Sequence, residues 1–292
     1  MLKNMKMDVI CSPVRDDHVN RIVECLERGF PRRPRSYWFS AFERMSRLPV
    51  IEGYPRYGYM LQACGEVVGV ILLIFSQCRR ADQDYIRCNI SSWCVDEEYR
   101  GSAILLHLAA VKHKEVTYLN ISPARHTMSF IEAMGFQRIS NGQALLIPSL
   151  STPQRNVRVS TFAIDDSEAE LLSESERQIL VDHAALGCTA LVCVKDGEAS
   201  PFVFRHRRLF HNTIPCTQLI FCRSMNEYFR FAVSIARFLL FRSGPLFIID
   251  ANESKCGLVG SYFPERNPKY FKGPISPYIG DLAYTELAVF GP

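Results

Sequence analysis

The chain has 292 residues, of which 48% are hydrophobic and 22% are charged, and its formal net charge is +4. This composition is ordinary for a folded globular protein, and the length is sufficient for two domains. The positive charge is too small and too scattered for a dedicated nucleic-acid-binding protein. The longest apolar run, residues 67–75, is far shorter than a membrane-spanning helix.

The cysteines and the amino terminus indicate a reducing, cytoplasmic setting. Residues 1–8 contain no apolar run of the kind found in a signal peptide. The chain has 11 cysteines, an odd number, and no pair has the C-x-x-C spacing of a zinc site. We therefore expect free thiols that pack as small hydrophobic side chains, and we expect no metal.

The first part of the chain predicts two helices followed by a β-hairpin. Val19, Ile22 and Leu26 recur at helical spacing, and Gly29 follows them. Two apolar stretches flank Gly65-Glu66, as in a hairpin. In chain order the predicted elements are helices at 15–29 and 36–48, strands at 59–64 and 67–75, a polar break at 82–87, and a strand that ends at Val95.

The segment after this strand carries the strongest functional signal. The strand ends in an acidic turn, and Arg100-Gly101-Ser102 then opens a helix predicted over residues 102–114. Such a helix leaves its first backbone N–H groups unpaired, and its dipole places positive charge there. Arg100 adds a fixed charge, and Gly101 lets the backbone approach an anion closely. The turn therefore suits a phosphate or pyrophosphate; the alternative is an ordinary strand-to-helix connection.

Three further elements follow this helix. A strand is predicted at 116–121, a helix at 125–134, and a last strand at 143–147. Gly135 stands just past the second helix, where a C-cap residue is expected.

This order of elements resembles the GNAT superfamily of acyl-CoA-dependent acyltransferases over about residues 8–148. Residues 95–101 match the lead-in to the signature of the family, and residues 130–136 fit its helix-to-Gly-Phe ending. The resemblance implies an α/β fold (α+β layered) with a mixed central sheet flanked by helices. It also implies an acyl-CoA cosubstrate, with its pantetheine arm on the strand backbone and its pyrophosphate on the turn. The implied binding residues are Trp93, Cys94, Val95, Arg100, Gly101, Ser102, Ala103, Ile104 and Leu105.

Some positions depart from the family pattern. Ala103 replaces the first usual glycine of the turn, and Leu105 stands where glycine or alanine is usual. Ile131 occupies the place of the tyrosine that serves the family as general acid, and Ala124 replaces a common asparagine. The residues therefore favour coenzyme binding over the standard catalytic apparatus of the family.

Candidate catalytic residues follow from the chemistry of the family, in which an acceptor attacks the thioester directly and a base takes its proton. The strand before Val95 contains no glutamate, so Ser92 is the candidate that holds a water or positions the acceptor. His126, at the start of the later helix, is placed to approach the thioester sulfur. The alternatives are an inert hydroxyl for Ser92 and an ordinary helix-start histidine for His126.

Residues 32–39 combine arginines with aromatic side chains, in the segment that borders the acceptor cleft in GNAT proteins. Planar cations beside aromatic rings suit a small-molecule, sugar-like or anionic acceptor. The alternative is a solvated basic loop before an amphipathic helix.

The second half of the chain repeats the plan of the first. A polar, proline-bearing stretch at 149–160 predicts a boundary between domains at 1–148 and 149–292. Arg223-Ser224 stands where the first half has Arg100-Gly101, and it lacks the glycine, so we expect a diverged, structural GNAT-like domain. A second CoA site is the alternative. Its predicted elements are a helix at 173–186, strands at 190–194, 201–205 and 217–222, a helix at 226–241, and strands at 246–250 and 284–290.

The leading hypothesis is a cytoplasmic acyltransferase that moves an acyl group, such as acetyl, to an amine or hydroxyl of a small-molecule or sugar-like acceptor. The alternative is a non-catalytic GNAT-like protein that binds CoA or a protein partner, which Ile131 favours. Nucleic-acid binding through residues 32–35 is the weakest hypothesis, so we expect neither a nucleic-acid partner nor a membrane span. The sequence does not specify the acceptor, the acyl chain length or the oligomeric state.

Overall fold

The computed structural model describes residues 8–80, 83–152, 154–209, 213–253 and 257–291. Its packing separates into two units. The first comprises Met1–Asn120 and Lys272–Ile275, and the second comprises Ile121–Phe271 and Ser276–Pro292. This division lies earlier in the chain than the boundary at 149–160, and the domain assignment 1–148 and 149–292 stays a prediction.

The first unit is a mixed sheet with three helices. Strands β1 to β4 are antiparallel neighbours in sequence order, whereas β5 runs parallel to β4. The elements are β1 (Ile10–Pro13), α1 (Val19–Gly29), α2 (Arg35–Arg47), β2 (Gly58–Ala63), β3 (Glu66–Arg80), β4 (Gln83–Val95), α3 (Ala103–Ala110) and β5 (Thr117–Asn120).

Strand β3 forms the centre of the first core. Its residues 67–76 are all buried, as expected for a strand covered on both faces, which is apolar at nearly every position. Helix α1 packs against β3 and fully buries Ile22, Val23 and Leu26. Each such side chain contributes about 1.5–3 kcal/mol on burial. The helical spacing noted in the sequence is therefore the core-facing stripe of α1.

The second unit is a larger mixed sheet, with strand order β12-β6-β11-β10-β9-β8-β7. Only β10 and β11 run parallel among these neighbours. Its elements are α4 (Met128–Ala133), β6 (Gln137–Leu146), β7 (Arg158–Thr161), α5 (Glu174–Ala185), β8 (Thr189–Lys195), β9 (Glu198–Leu209), β10 (Ile214–Cys222), α6 (Met225–Ser243), β11 (Leu246–Ala251), β12 (Gly260–Lys272) and α7 (Glu286–Val289).

Strands β7 to β11 repeat the arrangement of β1 to β5. In both sets four strands are antiparallel neighbours in sequence order, and the fifth pairs parallel with the fourth. Helix α5 precedes the hairpin of the second set, as α1 and α2 precede that of the first. Helix α6 connects its parallel pair, as α3 does. The second GNAT-like domain itself stays a prediction.

The strand predicted at 284–290 is wrong, because this segment contains the short helix α7. Tyr284 has φ +55°, which interrupts an extended run. The carbonyl of Thr285 then accepts the N–H groups of Ala288 and Val289. A short apolar run does not by itself distinguish a strand from a buried helical turn.

The predicted polar breaks are also partly wrong. Strand β4 begins at Gln83 and β7 begins at Arg158, inside the breaks at 82–87 and 149–160. Both starts carry exposed polar side chains, so neither shows the apolar signal of a strand. Asp82 lies outside the described residues. The strand predicted at 143–147 is the second half of β6, and β1 and β12 were not predicted.

We expect Gly29→Ala to destabilise the first unit. A Cβ at Gly29 would lie 2.5 Å from Cβ and 2.7 Å from Sγ of Cys94, so α1 must move away from β4. Overpacking of this kind costs about 1–3 kcal/mol. Gly101→Ala is the matched control, because a Cβ there meets no atom within 4 Å. Denaturant unfolding should show a loss for Gly29→Ala alone; equal midpoints for both variants and the parent would contradict the contact.

Candidate functional site

Strand β4 continues past the end of its pairing with β5. The parallel register joins Arg87 to Thr117, Cys88 to Tyr118 and Asn89 to Leu119. At the last pair, the side-chain amide of Asn89 donates to the Leu119 carbonyl at 3.4 Å. Strand β4 still pairs with β3 on both sides of Ser92 and Trp93, but residues 90–95 lie beyond the pairing with β5. They include all of the strand residues predicted to bind pantetheine.

A β-bulge at Ser92 interrupts this part of β4. Leu72 of β3 pairs with Ser91 and Val70 pairs with Cys94, so Ser92 and Trp93 together face one residue of β3. Ser92 has φ +47°, which is uncommon for a residue with a side chain. Its hydroxyl lies 3.1 Å from the hydroxyl of Ser91. Bulges and strained backbone of this kind are concentrated near functional sites.

The predicted anion-binding turn is helical. Residues 97–102 form a 3₁₀ helix that leads into α3, and the N–H of Ala103 donates to the Arg100 carbonyl. An anion on this turn would compete with that hydrogen bond. Arg100 is largely exposed and lies 3.5 Å from Glu97. Helix α3 ends at Ala110, short of the predicted residue 114.

Several residues of the turn and of the start of α3 are exposed, whereas Ala103 is half-buried. Gly101 is exposed, and the backbone around it is open, since a Cβ there would meet no protein atom within 4 Å. Leu105 is 40% exposed and Ile104 is 37% exposed, while the next residue, Leu106, is fully buried. Leu105 therefore presents its side chain partly to solvent, on the same helical turn as the predicted pyrophosphate site.

The ion pair of Arg28 with Asp96, which the sequence did not predict, fixes the start of the turn. Arg28 of α1 donates to both carboxylate oxygens of Asp96, at 3.1 and 2.7 Å, and also to the Val67 carbonyl at 2.9 Å. The N–H of Asp96 donates to the Val68 carbonyl at 2.8 Å. Bidentate pairs of this kind fix orientation as well as charge. Arg28 therefore positions the residue from which the predicted anion site begins.

Cys94 is packed against α1, which makes it an unsuitable nucleophile. Its Sγ lies 3.9 Å from the Cys25 carbonyl. A hydrogen bond with the Cys25 thiol, together with burial, raises the pKa of Cys94 well above its ordinary value. A thiol that stays protonated is a poor nucleophile. Only the backbone of Cys94 is then available for the predicted role.

Trp93 is stacked on a histidine that had no assigned role. The ring centroids of Trp93 and His107 are 5.8 Å apart, and the ring planes are inclined by 29°. Burial, with a smaller contribution from the charge of Lys272, lowers the pKa of His107 to about 4. His107 is therefore neutral at physiological pH, and its role is to support Trp93 from α3.

The two candidate catalytic residues belong to different packing units. Ser92 lies in the first unit, and His126 is exposed in the second, in the 3₁₀ segment Arg125–Thr127. Ile131 is 1% exposed and lies on α4, so the position of the usual tyrosine is filled by core packing.

The basic and aromatic segment at 32–39 is only partly available to a ligand. Trp38 is 2% exposed and belongs to the core. Arg35 pairs with Glu24 and Glu27 of α1. The guanidinium of Arg33 lies 4.5 Å from the ring centroid of Tyr37, which leaves this pair as the best candidate of the segment for contact with an acceptor.

In the second unit, the strand that corresponds to β4 has its edge covered by the chain itself. Strand β10 pairs with β11 only from Cys216 to Gln218. Beyond that, the N–H of Cys222 donates to the Gly280 carbonyl at 2.9 Å, and the N–H of Leu282 donates to the Ile220 carbonyl at 2.8 Å. The segment at 280–282 thus occupies the backbone edge that the predicted pantetheine site uses in the first unit.

The turn after β10 is closed as well. Arg223 pairs with Glu176 at 2.7 Å and with Glu227 at 3.3 Å. The Ser224 hydroxyl caps α6 by accepting the N–H of Glu227. The guanidinium of Arg223 and the N–H of Glu227, which an anion at this turn would need, are therefore already bonded within the unit.

The structure also bears on metal binding, on the state of the cysteines and on membrane-spanning helices. Within the described residues, no group of three or more His, Cys, Asp or Glu side chains is arranged to hold a metal ion. The ten cysteines described by the structure are free thiols, and Cys256 lies outside the described residues. None of the helices in the described ranges has both the length and the apolar character needed to cross a membrane.

Arg28→Ala should lower stability more than Arg100→Ala. Arg28 makes a bidentate pair and a backbone bond, so we expect a loss of about 1–2 kcal/mol after solvent screening. Arg100 makes one exposed pair, so the expected change is within about 0.5 kcal/mol. Denaturant unfolding measures both, and an equal loss for the two variants would mean that the Asp96 anchor is not formed.

The neutral state of His107 should appear in the pH dependence of stability. Its pKa falls from 6.5 to about 4 on folding, so the unfolded chain takes up a proton that the folded chain does not. The contribution of neutral His107 to the free energy of unfolding is complete above pH 6.5 and is lost as the pH falls towards 4. His107→Leu should flatten the decline in unfolding free energy over this window relative to the parent. An unchanged slope would show that His107 titrates normally.

Comparison with known proteins gives a fold assignment. No protein-family model matches the sequence, and a search of curated proteins gave no match. A candidate acetyltransferase of Pyrococcus horikoshii has a TM-score of 0.56 at 14% identity, covering 97% of this chain and 96% of that chain. A GCN5-related N-acetyltransferase of Anabaena variabilis has a TM-score of 0.58 at 9% identity, covering 90% of this chain and 72% of that chain.

A third solved structure is a GCN5-related glucosamine N-acetyltransferase region of a fungal multi-domain β-N-acetylglucosaminidase. Its TM-score is 0.58 at 10% identity, and the match covers 91% of this chain and 38% of that chain. At such low identities the likeness concerns the fold. The chain therefore has the fold of the GNAT superfamily, a mixed sheet flanked by helices.

Proposed function

We propose that the chain is an acyl-CoA-dependent acyltransferase that moves an acyl group, acetyl in the simplest case, to an amine or hydroxyl. The observation that carries this proposal is the end of the β4–β5 pairing at Asn89. It leaves Trp93, Cys94 and Val95 beyond the parallel pair and directly before the helical turn. An extended ligand arm can add to such a strand edge through main-chain hydrogen bonds.

The turn after β4 fits the phosphate end of the cosubstrate. Gly101 leaves open space where a side chain would otherwise stand. Arg100 is held only by an exposed pair with Glu97, so its guanidinium can turn to a phosphate at small cost. When bound, acyl-CoA supplies an activated thioester. The α3 residues Ile104 and Leu105 lie beside this end of the site.

The residues of the chain supply positioning and proton transfer. We assign Ser92, whose hydroxyl lies at the bulge, to holding the acceptor or the water that takes its proton. His126 stays the candidate donor to the departing sulfur on the sequence alone, since Ile131 has no proton to give. Both roles follow from the resemblance to the family and from the position of these residues in the sequence.

The proposed acceptor is a small molecule, and a sugar-like amine is the preferred class. The fungal neighbour of the same fold is described as a glucosamine N-acetyltransferase. The stacked pair of Arg33 and Tyr37 offers a planar cation and a ring, which suit a polyhydroxylated acceptor. We place the protein in the cytoplasm, where acyl-CoA and reduced thiols coexist, on the expectation drawn from its sequence.

We further propose that the second unit contains a diverged GNAT-like domain without a CoA site. The repeated strand order supports the first part of this statement. The pairing of residues 280–282 with β10 and the ion pairs of Arg223 support the second part. Its role is then structural.

A non-catalytic CoA-binding module is the second candidate function. One observation favours it: Ile131, at the place of the usual acid of the family, is buried and has no proton to give. Release of free thiol from acetyl-CoA in the presence of an acceptor mixture that includes glucosamine separates the two. Thiol release supports the enzyme, and binding without release supports the module.

Both candidate functions require a CoA site at β4 and the following turn, and a binding measurement tests this site. Calorimetric titration with CoA, acetyl-CoA and a long-chain acyl-CoA should show binding in the micromolar range. Arg100→Ala should weaken it about tenfold, because a charge-assisted hydrogen bond contributes about 1.5 kcal/mol. Gly101→Ala should also weaken binding while stability stays unchanged, since only a ligand would meet the added Cβ.

Arg47→Ala is the matched control for this titration. Arg47 is also paired with a glutamate on its own helix, and its side chain is 70% exposed against 69% for Arg100. This variant should bind as the parent does. Absence of binding by the parent, or equal affinity of the parent and Arg100→Ala, would contradict the proposed site.

A further inference from the structure

A pocket of about 230 Å³ opens in the second unit, where the end of β7 and the start of β8 meet β9 and the last turn of α6. The proposed acyl transfer assigns it no role. The residues of its wall that matter most are Thr161, Thr189, His206, Leu239, Arg242 and Ser243. The wall is therefore mixed: the hydroxyls, His206 and Arg242 are polar, and the remaining lining residues are mostly apolar.

Hydroxyl groups hold His206 in the wall of this pocket. Its Nε2 lies 2.7 Å from Oγ1 of Thr189 and 3.4 Å from Oγ of Ser243. Its Nδ1 is buried and has no hydrogen-bond partner among the described residues. Burial also lowers the pKa of His206. A buried polar atom without a protein partner is uncommon, and a bound water or ligand is one way to satisfy it.

Arg242 brings an uncompensated positive charge to the pocket. Its Nη1 lies 3.5 Å from Oγ1 of Thr161, and its guanidinium carbon lies 5.2 Å from the ring centroid of Phe238. These contacts orient the guanidinium without neutralising it. Within the described part of the chain Arg242 has no carboxylate partner, and no Asp or Glu lines the pocket. The charge and the hydroxyls together favour an anion.

The size and the apolar part of the wall limit the anion. The volume of about 230 Å³ is enough for a small organic molecule and too small for a large one. Phe162, Ala190 and Leu239 supply apolar surface beside the polar groups. A fully hydrated inorganic anion would leave this surface without a partner, whereas an organic acid would cover it.

We propose that this pocket binds a small monocarboxylate with a compact apolar body. The carboxylate accepts hydrogen bonds from Arg242 and from the hydroxyl of Thr161 or Thr189, and the body lies against Leu239. This site is separate from the proposed acyl-CoA site, because it is built entirely from residues of the second unit. Its ligand is recognised as an anion and not as a thioester.

The test titrates three small molecules into the 292-residue chain and measures binding by calorimetry or by NMR chemical shifts. Benzoate carries the proposed charge and an apolar body, benzamide has the same shape without the charge, and inorganic phosphate is an anion without the body. We expect saturable binding of benzoate, with benzamide and phosphate at least tenfold weaker. Equal affinity for benzoate and benzamide, tighter binding of phosphate, or no saturable binding would overturn the proposal.

Three variants at two positions of α6 locate the binding. Arg242→Ala should weaken benzoate binding at least tenfold, whereas Arg237→Ala, which removes another exposed arginine of the same helix, should change it less than twofold. Arg242→Lys should give an intermediate loss, because lysine keeps the charge but not the planar fork. Arg242 is exposed, so these variants are expected to fold, and their unfolding midpoints check this. Equal losses for Arg242→Ala and Arg237→Ala would show non-specific attraction and would overturn the site.

Discussion

The parallel pairing between β4 and β5 ends at Asn89, and the arrangement of the proposed site depends on this early end. Backbone N–H and C=O groups of a strand need partners, and a strand that outruns its neighbour presents them at an edge. The bulge at Ser92 changes the direction of this edge. The bidentate pair of Arg28 with Asp96 fixes the place where the chain turns into the helix. A ligand with an extended, amide-bearing arm and a phosphate end matches this order of features.

The second unit shows what happens when the same edge is used by the chain itself. Strand β10 also outruns its parallel neighbour, but the segment at 280–282 pairs with it, and glutamates bind the arginine of the following turn. The two units therefore share a strand order, and among the described residues they differ in that the segment at 280–282 pairs with β10. This difference is the physical basis for assigning a CoA site to one unit and a structural role to the other. The polar pocket at Arg242 indicates that the second unit has its own binding property.

Local patterns in the sequence predicted the parts of the fold that depend on neighbouring residues. The apolar run at 67–75 became the buried strand β3, and the spacing of Val19, Ile22 and Leu26 became the core stripe of α1, since burial on one face or two leaves a periodic trace. The strand predicted from the apolar run at 284–290 was wrong, because a run of this length does not distinguish a strand from a helical turn. The GNAT fold was predicted from the Arg-Gly turn and the Gly-Phe ending, although the turn itself proved to be 3₁₀.

The supporting contacts of the site had no comparable signal. Arg28 and Asp96 are far apart in the sequence, and Arg28 resembles any charged residue on an amphipathic helix. The stack of His107 on Trp93 depends on how α3 returns over the sheet, and the bulge at Ser92 depends on a register that only pairing defines. Such features arise from tertiary structure, which a single sequence does not record locally. They are also the features that determine whether the predicted residues can act together.

The most direct test is amide hydrogen exchange of the full chain with and without CoA, followed residue by residue. If CoA adds to the edge of β4, exchange should slow at Trp93, Cys94 and Val95, while residues 220–222 of β10, already paired with 280–282, stay unchanged. Unchanged exchange at residues 93–95 in the presence of saturating CoA, or protection confined to β10, would contradict the assignment of the site to the first unit.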